Sequence, residues 1–238
     1  MFSAGLFVAT IKGTSGNPSA KEIRTQDQAT EPFELSPERG RYAHTVALAE
    51  NGSFSLTQDL ADAVYPDVGY VDGRFYSFFA PGISIFAVPF YKLGSYFNLA
   101  QVTTFSIISL FALGTMFFLY RIGKDIFNLS IANALLAPVL FAFGSTAWSY
   151  ATTLYQHHLT TFFIISSFYA VWRYGKKTRL SFLWGAYIWA AYALAFTVDY
   201  PNLVLMLPVM VYFFLSSVTF ATVKKKLRTS LRPAFLLT

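Results

Sequence analysis

Long uncharged runs alternate with short charged connections over the C-terminal part of the chain. Five runs (100–120, 129–148, 152–172, 180–198 and 203–223) approach the roughly 20 apolar residues a helix needs to cross ~30 Å of hydrocarbon. The second carries Asn133 and Pro138, the third opens with Gln156-His157-His158, and the fifth contains Pro208. A spanning helix accommodates proline where neighbouring groups satisfy the freed carbonyl. Short connections make these helices antiparallel neighbours, so the pattern predicts an all-α integral membrane protein, a polytopic helical bundle with five helices over 100–223. Residues 1–11 are apolar too. As a helix they reach only ~16 Å at about 1.5 Å per residue, and they lack the basic start of a signal peptide. They are expected to be part of a first span. Residues 224–238 start basic and turn apolar from Pro233, which predicts a connecting loop and the start of a further span.

The segment 12–99 reads differently. Ser36 suits a helix N-cap, Pro37 the first helical position and Glu38 the first turn. Tyr42, Val46 and Ala49 recur on one face, and Gly52 is a natural stop. The expectation is an amphipathic helix over 37–51, lying against the membrane surface. Asp59, Asp62 and Asp67 are scattered through a loop, Asp72-Gly73 signals a turn, and Arg74-Phe75-Tyr76 is expected to run extended after it. The uncharged stretch 80–91, with Pro81, Gly82 and Pro89, is too short to span and predicts an interfacial or re-entrant element. Together these make 12–99 a large first external loop carrying juxtamembrane helices.

Composition strengthens the membrane reading. Of the 238 residues 55% are hydrophobic, 19% aromatic and only 13% charged, against about 25% charged in soluble domains. A disordered chain is excluded and an ordinary soluble enzyme disfavoured. Eleven Lys and Arg residues fall in three connections (Arg121 and Lys124; Arg173, Lys176, Lys177 and Arg179; Lys224, Lys225, Lys226, Arg228 and Arg232), whereas 149–151 and 199–202 have none. If the helices alternate, all eleven lie on one side. The positive-inside rule makes that side cytoplasmic and places 12–79 outside, in a periplasm or exterior. Ten of the twelve acidic residues lie in 12–79. The net charge of +6 is therefore a statement of topology and lipid contact, and no nucleic acid is needed to explain it. The chain has no cysteine. It has no phosphate-binding glycine loop, no GxSxG and no HExxH. Asn51-Gly52-Ser53 fits a glycosylation sequon, but a helix stop explains it equally well.

On this topology a polar constellation gathers on the outer side. It comprises Glu38, Arg41 and the aspartates of the loop, then Tyr150, Tyr155, His157 and His158, and finally Asp199 and Tyr200. Ionisable groups near membrane depth are costly and are functional candidates by default.

Two stretches carry a resemblance to a known family. Ser36-Pro37-Glu38-Arg39-Gly40-Arg41-Tyr42-Ala43 followed by Gly52, and Asp72-Gly73-Arg74-Phe75-Tyr76-Ser77-Phe78-Phe79-Ala80-Pro81-Gly82 through Pro89 and Gly94, resemble the first external loop of membrane glycosyltransferases of the GT-C fold. The likeness is to the protein mannosyltransferase and lipid A aminoarabinose transferase branch. Glu38 stands where the family usually has Asp, Arg39 where the next acidic residue falls, and Ala80-Pro81-Gly82 where the aminoarabinose branch has Lys-Pro-Pro. Those families have more spans, so the resemblance implies the N-terminal portion of such an enzyme. It implies sugar transfer from a polyprenyl-phosphate donor to a glycan, lipid or protein acceptor on the outer face. Glu38 would be the catalytic base. Arg41, Arg74, His157 or His158 would meet the phosphate, and Tyr42 and Tyr76 would pack on sugar or lipid, with Asp72, Asp199 and Tyr200 as further substrate contacts. No metal ligands are assigned, and the cofactor is left open, a divalent cation included. The alternative is a non-enzymatic transporter or lipid-carrier flippase subunit, which should place charge or broken helices at mid-membrane in repeated halves.

Overall fold

The computed structural model describes residues 2–26, 32–33, 35–176 and 178–218. The chain is mostly helical, with a single two-stranded hairpin among the described residues. In order come α1 (Phe2–Ala9), α2 (Ala20–Thr25), α3 (Ser36–Asn51), α4 (Gln58–Val64), β1 (Val68–Val71), β2 (Arg74–Ser77), α5 (Gly82–Tyr96) and α6 (Ala100–Asp125). Then follow α7 (Ile131–Phe143), α8 (Ala147–Ala151), α9 (His157–Gly175) and α10 (Ser181–Val198). The last, α11 (Asn202–Val218), is interrupted by a turn residue at Met206. The expected loop and further span at 224–238, the end of the fifth run at 219–223, and Lys177 lie outside the described residues.

Among the described residues two helices are long and apolar enough to cross a membrane: α6, with 26 residues, and α10, with 18. The other runs depart from expectation for local reasons. The run 129–148 yields only the 13 residues of α7, ~20 Å at about 1.5 Å per residue, because Gly144 ends the helix before the short α8. The run 152–172 starts its helix only at His157. The preceding residues 152–156 form a turn-like strap, and the two histidines and Arg173 dilute the apolar content of α9. Both α6 and α10 leave large apolar side chains uncovered, among them Leu110, Phe117, Phe182, Leu183 and Trp189.

The central helix is α6, which packs on α5, α7 and α9. A block of Phe86, Phe111, Phe162 and Phe163, with ring centroids 5.0–6.2 Å apart, fills the space between α5, α6 and α9. Hydrogen bonds mark which helix ends meet. Asn202 Nδ2 donates to Thr160 Oγ1 and to the Ala195 carbonyl, joining the starts of α11 and α9 to the end of α10. At the opposite end Arg121 and Asp125 of α6 meet Tyr169 of α9, and Arg173 of α9 lies over the Trp184 ring of α10. Thus α9 runs antiparallel to both α6 and α10, and Arg121 and Arg173 share one end while Asp199 lies at the other.

The helix expected over 37–51 forms over Ser36–Asn51, and Gly52 ends it with φ 61°, as a left-handed stop. Its start differs. Leu35 occupies the cap, Ser36 is already helical, and the Glu38 carboxylate reaches back to accept the Leu35 N–H at 2.9 Å. Nor does α3 lie on a surface: Glu38 and Gly40 through Ala47 are all buried. Packing by α5, α4, α2 and the hairpin covers the face that looks polar in sequence. The Asp72-Gly73 turn forms as expected, both residues having positive φ (49° and 77°), the requirement of a type I′ hairpin turn. It pairs Val68 with Ser77 and Val71 with Arg74. The stretch expected to be interfacial becomes α5, 15 residues long and packed on α3 and α6. Its first residue, Gly82, sits against α10 so closely that a Cβ would fall 2.5 Å from the Thr197 carbonyl.

Candidate functional site

The first turns of α3 point a carboxylate and a guanidinium into one interior. Glu38 is fully buried and Arg41 is 5% exposed. Three residues apart on a helix, they share a face. Ser84 of α5 donates its hydroxyl to the Arg41 carbonyl at 2.9 Å, fixing α3 against α5. The guanidinium lies over the Phe79 ring, 5.4 Å from its centroid. Gly40 makes room for that ring, since a Cβ there would meet Phe79 at 2.5 Å.

The strap 152–156 closes over this pair. Lys12, just after α1, donates its backbone N–H to the Thr152 carbonyl at 3.0 Å. Ser109 of α6 donates to the Ala151 carbonyl at 2.7 Å. Thr153 and Leu154 thereby lie beside the Glu38 carboxylate. Burial pushes the Glu38 carboxyl above the usual carboxylate range, while the Leu35 N–H, Thr153, the Leu154 N–H and the Lys12 charge pull it partly back. Arg41 is pushed down to about 10 by burial, and Asp199, Glu38 and Tyr155 offset part of this. It keeps its charge at neutral pH. Its Nε and Nη1 are buried and have no hydrogen-bond partner among the described residues.

Beyond the strap, Tyr150, Tyr155 and His157 form a ring cluster with centroids 4.9–5.8 Å apart, Tyr155 and His157 stacked and Tyr150 edge-on to Tyr155. His157 is exposed and senses the charges of both Arg41 and Asp199. Asp199, at the end of α10, accepts from Gln156 Nε2 at 3.3 Å. Glu38, Arg41, His157 and Asp199 therefore belong to one electrostatic cluster, assembled from α3, the strap, the start of α9 and the end of α10.

The other sequence candidates are placed elsewhere. His158 is buried and bonded through Nε2 to the Ala147 carbonyl at 2.8 Å, with its ring edge-on to Phe141. Tyr42 is fully buried among Phe33, Tyr91 and Phe105, in the aromatic core of α3, α5 and α6. Asp72 and Arg74 are exposed on the hairpin, and Tyr76 is half-buried in β2. Tyr200 is exposed and packs on Phe196. Among the described residues no three His, Cys, Asp or Glu side chains gather as a metal group would.

Sequence reasoning missed Lys12, Thr153, Phe79 and His44. Thr153 and Lys12 carried no local signal, since only the closure of the strap brings them to Glu38. His44 lies two positions beyond Tyr42 on α3, 5% exposed, with neither ring nitrogen partnered among the described residues. Burial lowers it to about 4, so it is neutral at physiological pH. Its burial on a helix face shared with Arg41 was hidden because that face reads as wet. Comparisons with protein-family models, curated proteins and solved structures return no match.

Proposed function

We propose that this protein is a membrane glycosyltransferase acting on the outer face of a bilayer, with α6, α9, α10 and α11 as membrane helices of a polytopic bundle. The observation that carries this reading is the buried Glu38 carboxylate beside the buried Arg41 guanidinium, in one cluster with His157 and Asp199. Burying both charges is costly, and such sites are kept for chemistry. The separation of basic connections at one helix end from this cluster at the other supports an outward orientation. The uncovered apolar side chains of α6 and α10 support a hydrocarbon surround.

The chemistry is a single displacement. Glu38, whose carboxyl titrates above its usual range, takes the proton of an acceptor hydroxyl. The hydroxyl oxygen attacks the anomeric carbon of a sugar linked to polyprenyl phosphate. The bond from that carbon to the phosphate oxygen breaks with inversion, and the electron pair leaves with the phosphate. Arg41 and His157 face the charge that develops there. Tyr150 offers aromatic surface for the sugar, backed edge-on by the buried Tyr155. The Asp199 charge favours the charged form of Arg41, and its carboxylate accepts from Gln156 of the strap. Asp72, Arg74, Tyr76 and Tyr200 are left to the acceptor side. His158 and Tyr42 act in packing. The transporter or flippase alternative gains nothing from charges gathered at one helix end rather than at mid-depth.

The test is transfer of labelled sugar from a polyprenyl-phosphate donor to extracted envelope acceptors by the reconstituted protein. Glu38→Gln is expected to lower transfer by about 10²-fold or more while keeping the fold, because a glutamine oxygen still accepts the Leu35 N–H. Undiminished transfer would overturn the assignment of Glu38. The absence of native cysteine makes single-cysteine labelling a clean check of side. A cysteine at Asp72 is expected to be labelled from outside and one at Lys124 from inside.

A further inference from the structure

The basic end of the bundle carries a second feature that the transfer reaction does not use. A cavity of about 510 Å³ opens between α6, α9 and α11, lined by Leu119, Ile122, Ile165, Phe168, Val209 and Tyr212 among others. Its volume is within the usual range of ligand sites, ~300–1,000 Å³, and its wall is apolar throughout. The proline of α11, Pro208, borders it. On α9 the stripe Ile165, Phe168, Trp172 recurs at three- and four-residue spacing and so lies on one face. One turn further on the same stripe stands Lys176, whose ammonium sits 4.6 Å from the centroid of the Trp172 ring. The nearby acidic group, Asp125, is already matched by Arg121 at 2.7 Å and by the Tyr169 hydroxyl. Arg173 is seated on Trp184. An apolar slot therefore leads along α9 to an aromatic ring capped by a cation, at the helix end where Arg121, Lys124 and Arg173 also lie.

We propose that this slot binds an anionic phospholipid of the leaflet on the basic side, with an acyl chain in the cavity and the phosphate at Lys176 over Trp172. The slot supplies hydrocarbon contact, the tryptophan suits the boundary between hydrocarbon and headgroups, and the lysine supplies the charge that selects an anionic headgroup. The proposal rests on the membrane placement given above and not on the transferase chemistry.

The experiment places the full chain in vesicles of phosphatidylcholine with a minority of phosphatidylglycerol, carrying a trace of phosphatidylglycerol with a photoreactive acyl chain. Crosslinks are read residue by residue. Labelling is expected to concentrate on Ile165, Phe168 and Tyr212, above Phe182 and Leu183 of α10, which are 80% and 59% exposed and serve as the bulk-lipid reference. Unlabelled phosphatidylglycerol should compete and phosphatidylcholine should not. Lys176→Gln should lower the enrichment about fivefold, matching ~1 kcal/mol for one basic residue at an anionic surface. Ile165→Trp, which fills the slot, should remove it with α10 labelling unchanged. Equal labelling of the two faces overturns the proposal. So does a slot left unlabelled while α10 is labelled, since protein then covers it. Stronger competition by polyprenyl phosphate than by phosphatidylglycerol also overturns it and makes the slot a carrier site. No labelling of either face removes the membrane placement itself and the proposal with it. A normal slot pattern alongside failed sugar transfer overturns the transferase reading alone.

Discussion

The two ends of the helical bundle treat charge in opposite ways. At the basic end Arg121 and Asp125 are neighbours on one helix, 2.7 Å apart, with side chains 37% and 25% exposed. Tyr169 completes the group by donating to Asp125 and accepting from Arg121. At the other end Glu38 and Arg41 are almost wholly enclosed, and Arg41 keeps two buried N–H groups without partners among the described residues. The first arrangement closes on itself and asks little of the fold. The second holds two desolvated charges, of which Arg41 has two N–H groups without a hydrogen-bond partner among the described residues. A closed pair at the periphery contributes little, whereas an enclosed and incompletely matched one costs several kcal/mol unless a ligand completes it. The difference separates a self-contained surface pair from the buried cluster proposed above as the reaction centre.

That contrast can be broken by substitution. Glu38→Gln is expected to lower sugar transfer about 10²–10⁴-fold, the range for a lost general base. The acid limb of the wild-type rate profile should lie above the ordinary carboxylate range, because burial favours the protonated form. Arg41→Gln is expected to lower the rate about 10²-fold through weaker stabilisation of the leaving phosphate, with donor affinity read from the dependence on donor concentration. His44 tests the burial of the same helix. Its neutral form is favoured on folding, with a titration near 4 against an ordinary 6.5. The unfolded chain therefore binds the extra proton first. Stability is full above about pH 6.5 and falls as pH drops toward 4, by at most ~3 kcal/mol. His44→Gln should flatten that dependence in thermal unfolding of the detergent-solubilised protein. Asp125→Asn, at the closed pair, should change stability by no more than about 1 kcal/mol and leave transfer untouched. An Asp125 effect as large as that of Glu38 would erase the distinction.

The parts legible in sequence were those set by local rules. Gly52 ends α3 and Asp72-Gly73 makes the hairpin turn because both depend on backbone conformation alone. The two helices long and apolar enough to cross a membrane, α6 and α10, announced themselves by apolar length. Alternate crossings were the basis for expecting Glu38, His157 and Asp199 on one side, and the electrostatic influence of Asp199 and Glu38 on Arg41 and of Arg41 on His157 is compatible with that grouping. What stayed hidden depended on tertiary closure. The face of α3 carrying Glu38, Arg41 and His44 looks solvated, and it is buried only by the strap 152–156 together with α5, α4, α2 and the hairpin. His158 looked like the equal of His157, yet the helix turn sends it to the Ala147 carbonyl. The shortness of α7 was obscured because Gly144-Ser145-Thr146 interrupts the helix without interrupting the uncharged run.

The contact at Gly82 bears on how this protein can be taken apart. The backbone of α5 meets that of α10 with no side chain between them, so a segment ending near residue 96 would lose the wall on which α5 and, through Ser84, α3 are registered. The polar N-terminal portion is thus an inlay rather than an appendage. Excised, it would forfeit the alignment of Glu38, and even Gly82→Val in the intact chain should loosen that alignment at a distance from the carboxylate itself.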